Sequence, residues 1–216
     1  REEYESHIKD HVCPGEMGQK VPCINLCPAH VDIPAYIALI GEEDYAGAIN
    51  MIRKDNPLPT ACAMICEHPC EQRCRRNLID DSINIRGLKK YAVDQIAADK
   101  VAVPKANKST GKKVAVIGGG PAGMTAAYFL GLMGHKVTIF ERQKALGGML
   151  RYGIPNYRFP KDRLDEDIRA ILSAGDIEVK YEAKIGTEIP IEEIHKEYDA
   201  MFVAIGAQAG KRLRLE

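Results

Sequence analysis

Seven cysteines are the side chains of this sequence best suited to chemistry, and all of them lie in the first 74 of 216 residues. They are Cys13, Cys23, Cys27, Cys62, Cys66, Cys70 and Cys74. Those from 62 to 74 recur at every fourth position, and the pair at 23 and 27 has the same spacing. Such spacing brings thiolates together, and thiolate-rich sites select zinc or iron–sulfur clusters.

The number of thiols helps to choose between these two metals. One zinc site takes four ligands and leaves three of the seven cysteines surplus, whereas two four-ligand iron–sulfur clusters need eight. Seven thiols and one further ligand therefore fit two clusters better. Buried free cysteines are a third interpretation, which so dense a set disfavours. The odd count also argues against a disulfide framework, so we expect a reducing, cytoplasmic compartment.

A glycine loop, GGGPAG at residues 118–123, follows a short apolar strand and precedes a helix. In such a loop, Gly118 permits a tight turn, Gly120 lets the backbone approach a pyrophosphate and Gly123 lets the helix pack against the strand. Glu141 lies 23 residues beyond Gly118, at the position of an acid that binds ribose. Because this acid would repel a 2′-phosphate, we predict FAD or NAD here rather than NADP.

A second glycine-bearing loop follows at residues 146–155. Its adjacent glycines favour close approach to a flat ring or to phosphates, with an ordinary turn as the alternative. The candidate cofactor-binding residues are Gly118, Gly120, Pro121, Ala122, Gly123, Glu141, Arg142, Gly147, Gly148 and Met149.

The elements that must position these residues differ between the two halves of the chain. In the first half, apolar spacing and capping residues predict helices over residues 32–41, 43–55 and 85–100, and a short helix over 1–12. Pro69 argues against one continuous helix through the cysteine run. We therefore expect a small, helical, cysteine-rich half.

The second half alternates strands with helices, which predicts a parallel sheet. The predicted strands cover residues 113–117, 136–141, 177–181 and 200–205, and the helices cover 121–134, 163–174 and 191–196. Residues 101–111 have the composition of a linker.

Composition and hydropathy exclude two classes of protein. The chain has 30 Lys and Arg against 30 Asp and Glu, so no net charge favours a nucleic-acid partner. No apolar run approaches the roughly 20 residues of a membrane-spanning helix. The first residue is Arg1, so we expect a piece of a longer protein.

Two sets of motifs occur together in a familiar order. They are CxxxCP at residues 23–28, DNPLP at 55–59, the cysteine run at 62–74 with Arg75 and Arg76 after it, INIRGLKK at 83–90, GGGPAG at 118–123, the glycines at 147–148, YGIP at 152–155 and AIGA at 204–207. Over about residues 20–216 the chain resembles the glutamate synthase small-subunit family of iron–sulfur flavoproteins. Relatives include the amino-terminal part of dihydropyrimidine dehydrogenase and the large subunit of electron-bifurcating transhydrogenases.

The resemblance implies a multi-domain fold, in which an α-helical iron–sulfur domain precedes the first part of an α/β Rossmann-like FAD-binding domain. It implies an upstream tail at 1–20, a double [4Fe–4S] domain at 21–103, a linker at 104–111 and the first half of the FAD domain at 112–216. The NADPH or NADH site of the family would lie in sequence beyond this chain.

The resemblance also implies how the thiols are shared between two clusters. Cys23 and Cys74 match ligands of one cluster, and Cys27, Cys66 and Cys70 match ligands of the other. Cys62 and Cys13 are further candidates. Upstream of residue 23 only Cys13 is present, and lysines at 89 and 90 replace a glutamine that some relatives use as a ligand. The eighth ligand is therefore left open.

We predict a module of an NAD(P)H-dependent oxidoreductase that passes electrons between a nicotinamide, FAD, the clusters and a partner subunit in a hetero-oligomer. In this hypothesis no side chain of the chain acts as an acid or base. A non-catalytic zinc- and nucleotide-binding assembly module is one alternative. A flavin disulfide oxidoreductase is another, which the absence of cysteine after Cys74 disfavours.

Overall fold

The structure is a computed structural model that describes residues 21–207. The helix predicted over residues 1–12 and Cys13 lie outside the described residues. The helical half contains α1 (Pro22–Leu26), α2 (Ile33–Gly41), α3 (Tyr45–Arg53), α4 (Pro59–Ile65), α5 (Pro69–Gln72), a 3₁₀ turn (Arg75–Leu78), α6 (Ile85–Gln95) and a second 3₁₀ turn (Ala98–Lys100).

Side-chain caps fix where three of these helices begin. The carboxylate of Asp32 accepts a hydrogen bond from the Ala35 amide at 3.2 Å at the start of α2, where the sequence predicted a cap. Asp44 caps α3 in the same way, so this helix begins later than residue 43, where it was predicted. Asn84 caps α6 through the Gly87 amide at 2.9 Å. Short polar side chains thus set these boundaries.

The helix predicted over residues 85–100 is shorter than expected. It ends at Gln95, and Ile96 is extended. The reason lies in α3, where the fully buried guanidinium of Arg53 donates to the carbonyl oxygens of Ala98 and Val101. These carbonyls pair with the two terminal nitrogens of a buried cation that the sequence pattern did not reveal.

The cysteine run is interrupted where Pro69 predicted a break. Helix α4 ends at Ile65, α5 begins at Pro69, and His68 between them has a left-handed backbone with φ of 41°. The chain therefore turns between Cys66 and Cys70 instead of carrying both on one helix face.

The second half has a four-stranded parallel sheet, as predicted. Its strands are β1 (Lys113–Ile117), β2 (Lys136–Phe140), β3 (Ile177–Lys180) and β4 (Ala200–Val203), in the order β3-β2-β1-β4. Its helices are α7 (Pro121–Leu132), α8 (Met149–Tyr152), α9 (Lys161–Leu172) and α10 (Ile191–Glu197). Helix α8 was not predicted, and α9 starts two residues early, directly after Pro160.

The two halves share a hydrophobic core. Leu58 and Ala61 of the helical half are buried in the same cluster as Val116, Met124 and Phe159 of the sheet half. The intervening segment also lies against the sheet half, since the Asn107 amide donates to the Leu132 carbonyl at 2.8 Å. The segment predicted as a linker is mostly exposed but is hydrogen bonded to the sheet half, and its role as a linker stays a prediction.

Within residues 21–207, no helix is long and apolar enough to cross a membrane.

Candidate functional site

The glycine loop lies at the carboxyl end of β1, and two of its glycines cannot carry a side chain. Gly118 has φ of 105°, and a Cβ there would lie 2.4 Å from the Ala204 carbonyl oxygen. A Cβ on Gly123 would lie 1.9 Å from the Gly118 carbonyl oxygen. The sequence analysis gave these two glycines the roles of tight turn and close helix packing, and their surroundings have this geometry.

Glu141 is buried and tied to the same loop. One of its carboxylate oxygens accepts the Gly119 amide at 2.7 Å, and the other accepts the Gln143 amide at 2.7 Å. The acid therefore fixes the glycine loop to the end of β2. Gly119 was not among the candidate residues, although a Cβ there would lie 2.2 Å from Leu146 Cδ2. The run of three consecutive glycines, of which Gly119 is the second, was the only signal for it.

The second glycine loop packs directly on the first. The Gly147 amide donates to the Gly119 carbonyl at 2.8 Å, and Gly147 and Gly148 have φ of 122° and 50°. A Cβ on Gly148 would lie 2.8 Å from the Cα of Gly120. In the described structure, these glycines thus allow the second loop to approach the backbone of the first loop closely.

A cleft of about 450 Å³ opens above these loops at the carboxyl edge of the sheet. Eight candidate residues line it, namely Gly118, Gly120, Pro121, Ala122, Glu141, Arg142, Gly148 and Met149. Gly123 and Gly147 lie behind the lining. The residues that sequence reasoning missed are Ile117, Phe140, Ala183, Lys184, Ile185, Thr187, Ala204, Ile205 and Gly206. The topology of a parallel sheet would have indicated them, because its strand ends meet at one edge.

The cleft fits the pyrophosphate of a dinucleotide. The nearest atom to a Cβ built on Gly120 would be the Cα of Gly148, at 3.9 Å, and no other atom would lie within 4 Å. This side of the backbone is therefore open. Helix α7 begins at the next residue, Pro121, and presents the unpaired amides of its first turn. An anion can therefore reach the backbone at this point without a steric obstacle.

Six of the seven cysteines lie within the described residues, and none forms a disulfide there. Cys23 is in α1, Cys62 is in α4 and Cys70 is in α5, while Cys27, Cys66 and Cys74 each follow the end of a short helix or turn. Helix α1 packs against α5, and α4 packs against α6. Short helices joined by tight turns thus place Cys23 and Cys70, which are 47 positions apart in sequence, on two helices in contact.

The described thiols lie near one another. Burial raises the pKa of Cys70 to about 11, and the nearby thiols of Cys66 and Cys27 contribute to the increase. Burial also raises the pKa of Cys23, with a smaller contribution from the Cys74 thiol. Cys23, Cys27 and Cys70 also pack in one cluster, and the division of the thiols between two iron–sulfur clusters stays a prediction. Bound metal cations would favour the thiolate form that burial opposes.

Cys62 is a neighbour of Cys66. The Cys62 thiol is hydrogen bonded to the Cys66 sulfur, which raises the pKa of Cys62 and lowers that of Cys66 to about 5. The Asn56 amide also donates to Cys62 at 2.8 Å, and the His68 backbone amide donates to Cys66 at 3.3 Å. The side chain of Lys89 is buried close by, and its positive charge favours the thiolates.

Among residues 21–207, no three histidine, cysteine, aspartate or glutamate side chains converge as ligands of a single metal ion. A four-iron cluster takes one thiolate on each iron, so its ligands lie further apart than those of a single ion. The donor set of half-buried thiols fits such clusters.

Two domain families match the chain in the order expected from its motifs. Residues 11–101 match the family described as dihydropyrimidine dehydrogenase domain II, 4Fe-4S cluster. Residues 116–176 match the family described as NAD(P)-binding Rossmann-like domain.

Curated relatives match nine-tenths of the chain. The NADPH-Fe(3+) oxidoreductase subunit beta of Geobacter sulfurreducens is 43% identical over 198 residues, which is 90% of this chain and 29% of the relative. The NADP(+)-dependent formate dehydrogenase subunit beta of Moorella thermoacetica is 39% identical over 214 residues, covering 89% of this chain and 30% of the relative. The NAD-dependent dihydropyrimidine dehydrogenase subunit PreT of Salmonella typhimurium is 35% identical over 196 residues, covering 90% and 47%.

The chain thus spans between about a third and a half of the length of these relatives. The resemblance predicted from the sequence is confirmed: the chain is similar first to a 4Fe-4S cluster domain of the dihydropyrimidine dehydrogenase type and then to an NAD(P)-binding Rossmann-like domain.

Proposed function

We propose that the chain is the electron-transfer part of an NAD(P)H-dependent iron–sulfur flavoprotein oxidoreductase. Its thiols hold two [4Fe–4S] clusters, its cleft holds the ADP part of FAD, and its electrons are exchanged with a partner subunit. The relatives named above are themselves called subunits, which supports a partner and a hetero-oligomer. Their names include both NADPH and NAD, so the choice of nicotinamide stays open.

One observation carries this proposal, namely that the thiol-bearing helices and the nucleotide cleft are built on one core. Ala61 precedes Cys62 in α4 and packs in the cluster that contains Val116 of β1. The segment that begins at Met149 in the cleft wall reaches Arg158, which pairs with Glu67 at 3.8 Å, directly beside Cys66. Single-electron exchange needs such proximity between two redox centres.

Each group of residues has a separate task in this function. FAD and iron–sulfur clusters, when bound, supply hydride acceptance and one-electron transfer, respectively. Gly120 and the first turn of α7 leave room and amides for the pyrophosphate, and Glu141 holds the loop in shape. The burial of Cys70 limits access of water, and the cation of Lys89 offsets thiolate charge.

The two alternatives differ from this proposal in what they require. A zinc- and nucleotide-binding module needs zinc in place of iron and sulfide. A flavin disulfide oxidoreductase needs a cysteine pair at the flavin ring, and no cysteine follows Cys74 in this chain. No residue of the cleft lining is a cysteine. A cytoplasmic location stays a prediction.

Anaerobic purification of the protein that contains this chain tests the proposal. We expect about eight irons and eight sulfides for two clusters in this chain, together with bound FAD. Electron paramagnetic resonance after reduction with NADPH and, separately, NADH would show which nicotinamide delivers electrons. Stoichiometric zinc without sulfide would contradict the proposal and favour the assembly module.

A further inference from the structure

A carboxylate of the sheet half is buried against the helix that carries Cys62. Asp167 of α9 has no exposed surface. Its two oxygens accept hydrogen bonds from the backbone amides of Thr60, at 3.2 Å, and Ala61, at 2.9 Å. Both amides belong to the first turn of α4. One side chain of the nucleotide-binding half thus accepts the hydrogen bonds of two backbone amides at the start of a thiol-bearing helix.

Helix α4 has no cap of its own. The residue before it is Leu58, whose side chain cannot accept a hydrogen bond, and its first residue is Pro59, which has no amide hydrogen. The amides of Thr60 and Ala61 are buried and would be unpaired without Asp167. An unsatisfied buried donor is costly, so the position of α4 depends on this carboxylate.

The other hydrogen bonds from α9 side chains to the helical half do not reach α4. The Arg163 guanidinium donates to the Val93 carbonyl at 2.7 Å, and Arg169 donates to Asp99 at 2.6 Å. Both bind the end of α6 or the turn after it. Only Asp167, among the α9 side chains with a described hydrogen bond, reaches the helix that contains Cys62 and leads into Cys66.

A hydrogen-bonded carboxylate holds a helix differently from apolar packing. Leu58 and Ala61 already supply apolar contact with the sheet half, and such contact tolerates small shifts along the helix axis. Two directed hydrogen bonds to consecutive amides fix both the height and the rotation of α4. Burial opposes the charged form of Asp167 and raises its pKa to about 7, so this fixation is obtained against a desolvation cost.

We propose that Asp167 is a positioning residue for electron exchange, because it fixes α4, and with it Cys66 directly after this helix, relative to the nucleotide cleft. This inference rests on the proposed function, in which electrons pass between those two sites. Asp167 touches neither reacting group, and it acts through the backbone of α4. Its loss should change the rate of electron exchange between flavin and cluster more than the binding of either cofactor.

The test uses Asp167→Asn and Asp167→Ala in the purified holoprotein, with Arg169→Gln as the matched control. Arg169→Gln removes a contact of the same helix with the helical half but leaves α4 untouched. Stopped-flow spectroscopy with NADPH, and in parallel with NADH, follows flavin and cluster reduction separately. Iron content, flavin content and the paramagnetic resonance spectrum of the reduced cluster establish that both sites are loaded.

We expect flavin reduction within about twofold of wild type, and cluster reduction slowed about tenfold or more in Asp167→Ala, since small displacements have large effects on rates that depend on geometry. Asp167→Asn keeps one acceptor oxygen and should lie between Asp167→Ala and wild type. The Arg169→Gln control should match wild type.

The inference is wrong if folded, iron-loaded Asp167 variants reduce their cluster at the control rate. It is equally wrong if both variants lose iron or fail to fold, because Asp167 then serves stability alone. Absence of iron and sulfide from the wild-type protein would instead overturn the proposed function, so the two failures are distinguishable.

Discussion

The glycine loops of the sheet half and the cysteines of the helical half are organised by different forces. In the sheet half, backbone hydrogen bonds and buried Glu141 fix the shape of the loops. In the helical half, burial raises the pKa of Cys23 and Cys70, so it disfavours their thiolates, which a bound cation would stabilise. The first site is therefore held by contacts within the chain, whereas the second would gain stability from metal binding.

This difference predicts where each half is vulnerable. In the sheet half, a substitution that adds a side chain to a glycine loop should be damaging, because the loops have no space for a side chain at several positions. A thiolate site is damaged by lost ligands, because the remaining thiols lose the cation that offsets their burial. The following variants test the contrast, in order of decreasing effect.

The largest effect is expected for Cys70→Ser, which removes the most buried of the described thiols. We expect loss of one cluster, or about half of the iron, and rapid proteolysis of the helical half with flavin still bound. Iron analysis and limited proteolysis measure these changes. Cys62→Ser is the matched variant, because the resemblance leaves Cys62 outside the two assigned sets, as a further candidate. Full retention of iron in Cys62→Ser would show that Cys62 is not a ligand. Equal iron loss in Cys62→Ser would make Cys62 a ligand.

The next effect is expected for Gly123→Ala in the sheet half. The new Cβ would lie 1.9 Å from the Gly118 carbonyl oxygen, so α7 must move away from β1. We expect a loss of about 1–3 kcal/mol in the free energy of unfolding, measured by thermal or chemical denaturation. Gly41→Ala serves as the control, since no atom lies within 4 Å of its added Cβ. A Gly123→Ala protein as stable as this control would contradict the packing role.

A smaller and purely functional effect is expected for Gly120→Ala. The added methyl group has space within the fold, with the Cα of Gly148 at 3.9 Å as its nearest neighbour, but it points to the open side of the loop. We expect stability unchanged within about 0.5 kcal/mol and flavin affinity reduced about tenfold. Flavin content after dialysis and fluorescence titration with FAD measure the loss. Undiminished affinity would place the pyrophosphate elsewhere.

The smallest effect concerns pH and the contact between the halves. Burial raises the pKa of Asp167 to about 7, well above that of an aspartate in the unfolded chain. Between pH 6 and 8 the folded protein therefore releases this proton while the unfolded chain has already lost it, so stability falls as pH rises. We expect Asp167 to contribute about 1 kcal/mol to this fall.

Unfolding curves at pH 6, 7 and 8 measure this contribution by comparing wild type with Asp167→Asn. The asparagine variant should lose the corresponding slope, because its side chain does not titrate. An identical pH dependence in both proteins would show that the pKa of Asp167 does not lie near 7.

Local sequence signals gave most of the elements and both sets of candidate residues. Asp32, as a helix cap, and Pro69, as a helix breaker, act on their immediate neighbours, so the start of α2 and the break in the cysteine run were predictable. The glycine pattern at residues 118–123 likewise indicates a strand–turn–helix unit, because its steric demands are local. The early end of α6 was not predictable, since it depends on Arg53 of another helix.

The sequence by itself therefore determined which chemical groups the chain offers, namely thiols suited to metal clusters and a glycine loop suited to a dinucleotide. Only the tertiary structure decided that Arg53 pairs with the carbonyls of Ala98 and Val101, that Gly148 packs on Gly120, and that Asp167 holds the start of α4. These relations join residues between 28 and 106 positions apart. Periodicity and capping report on neighbours along the chain, whereas such contacts form because burial of apolar surface brings distant segments together.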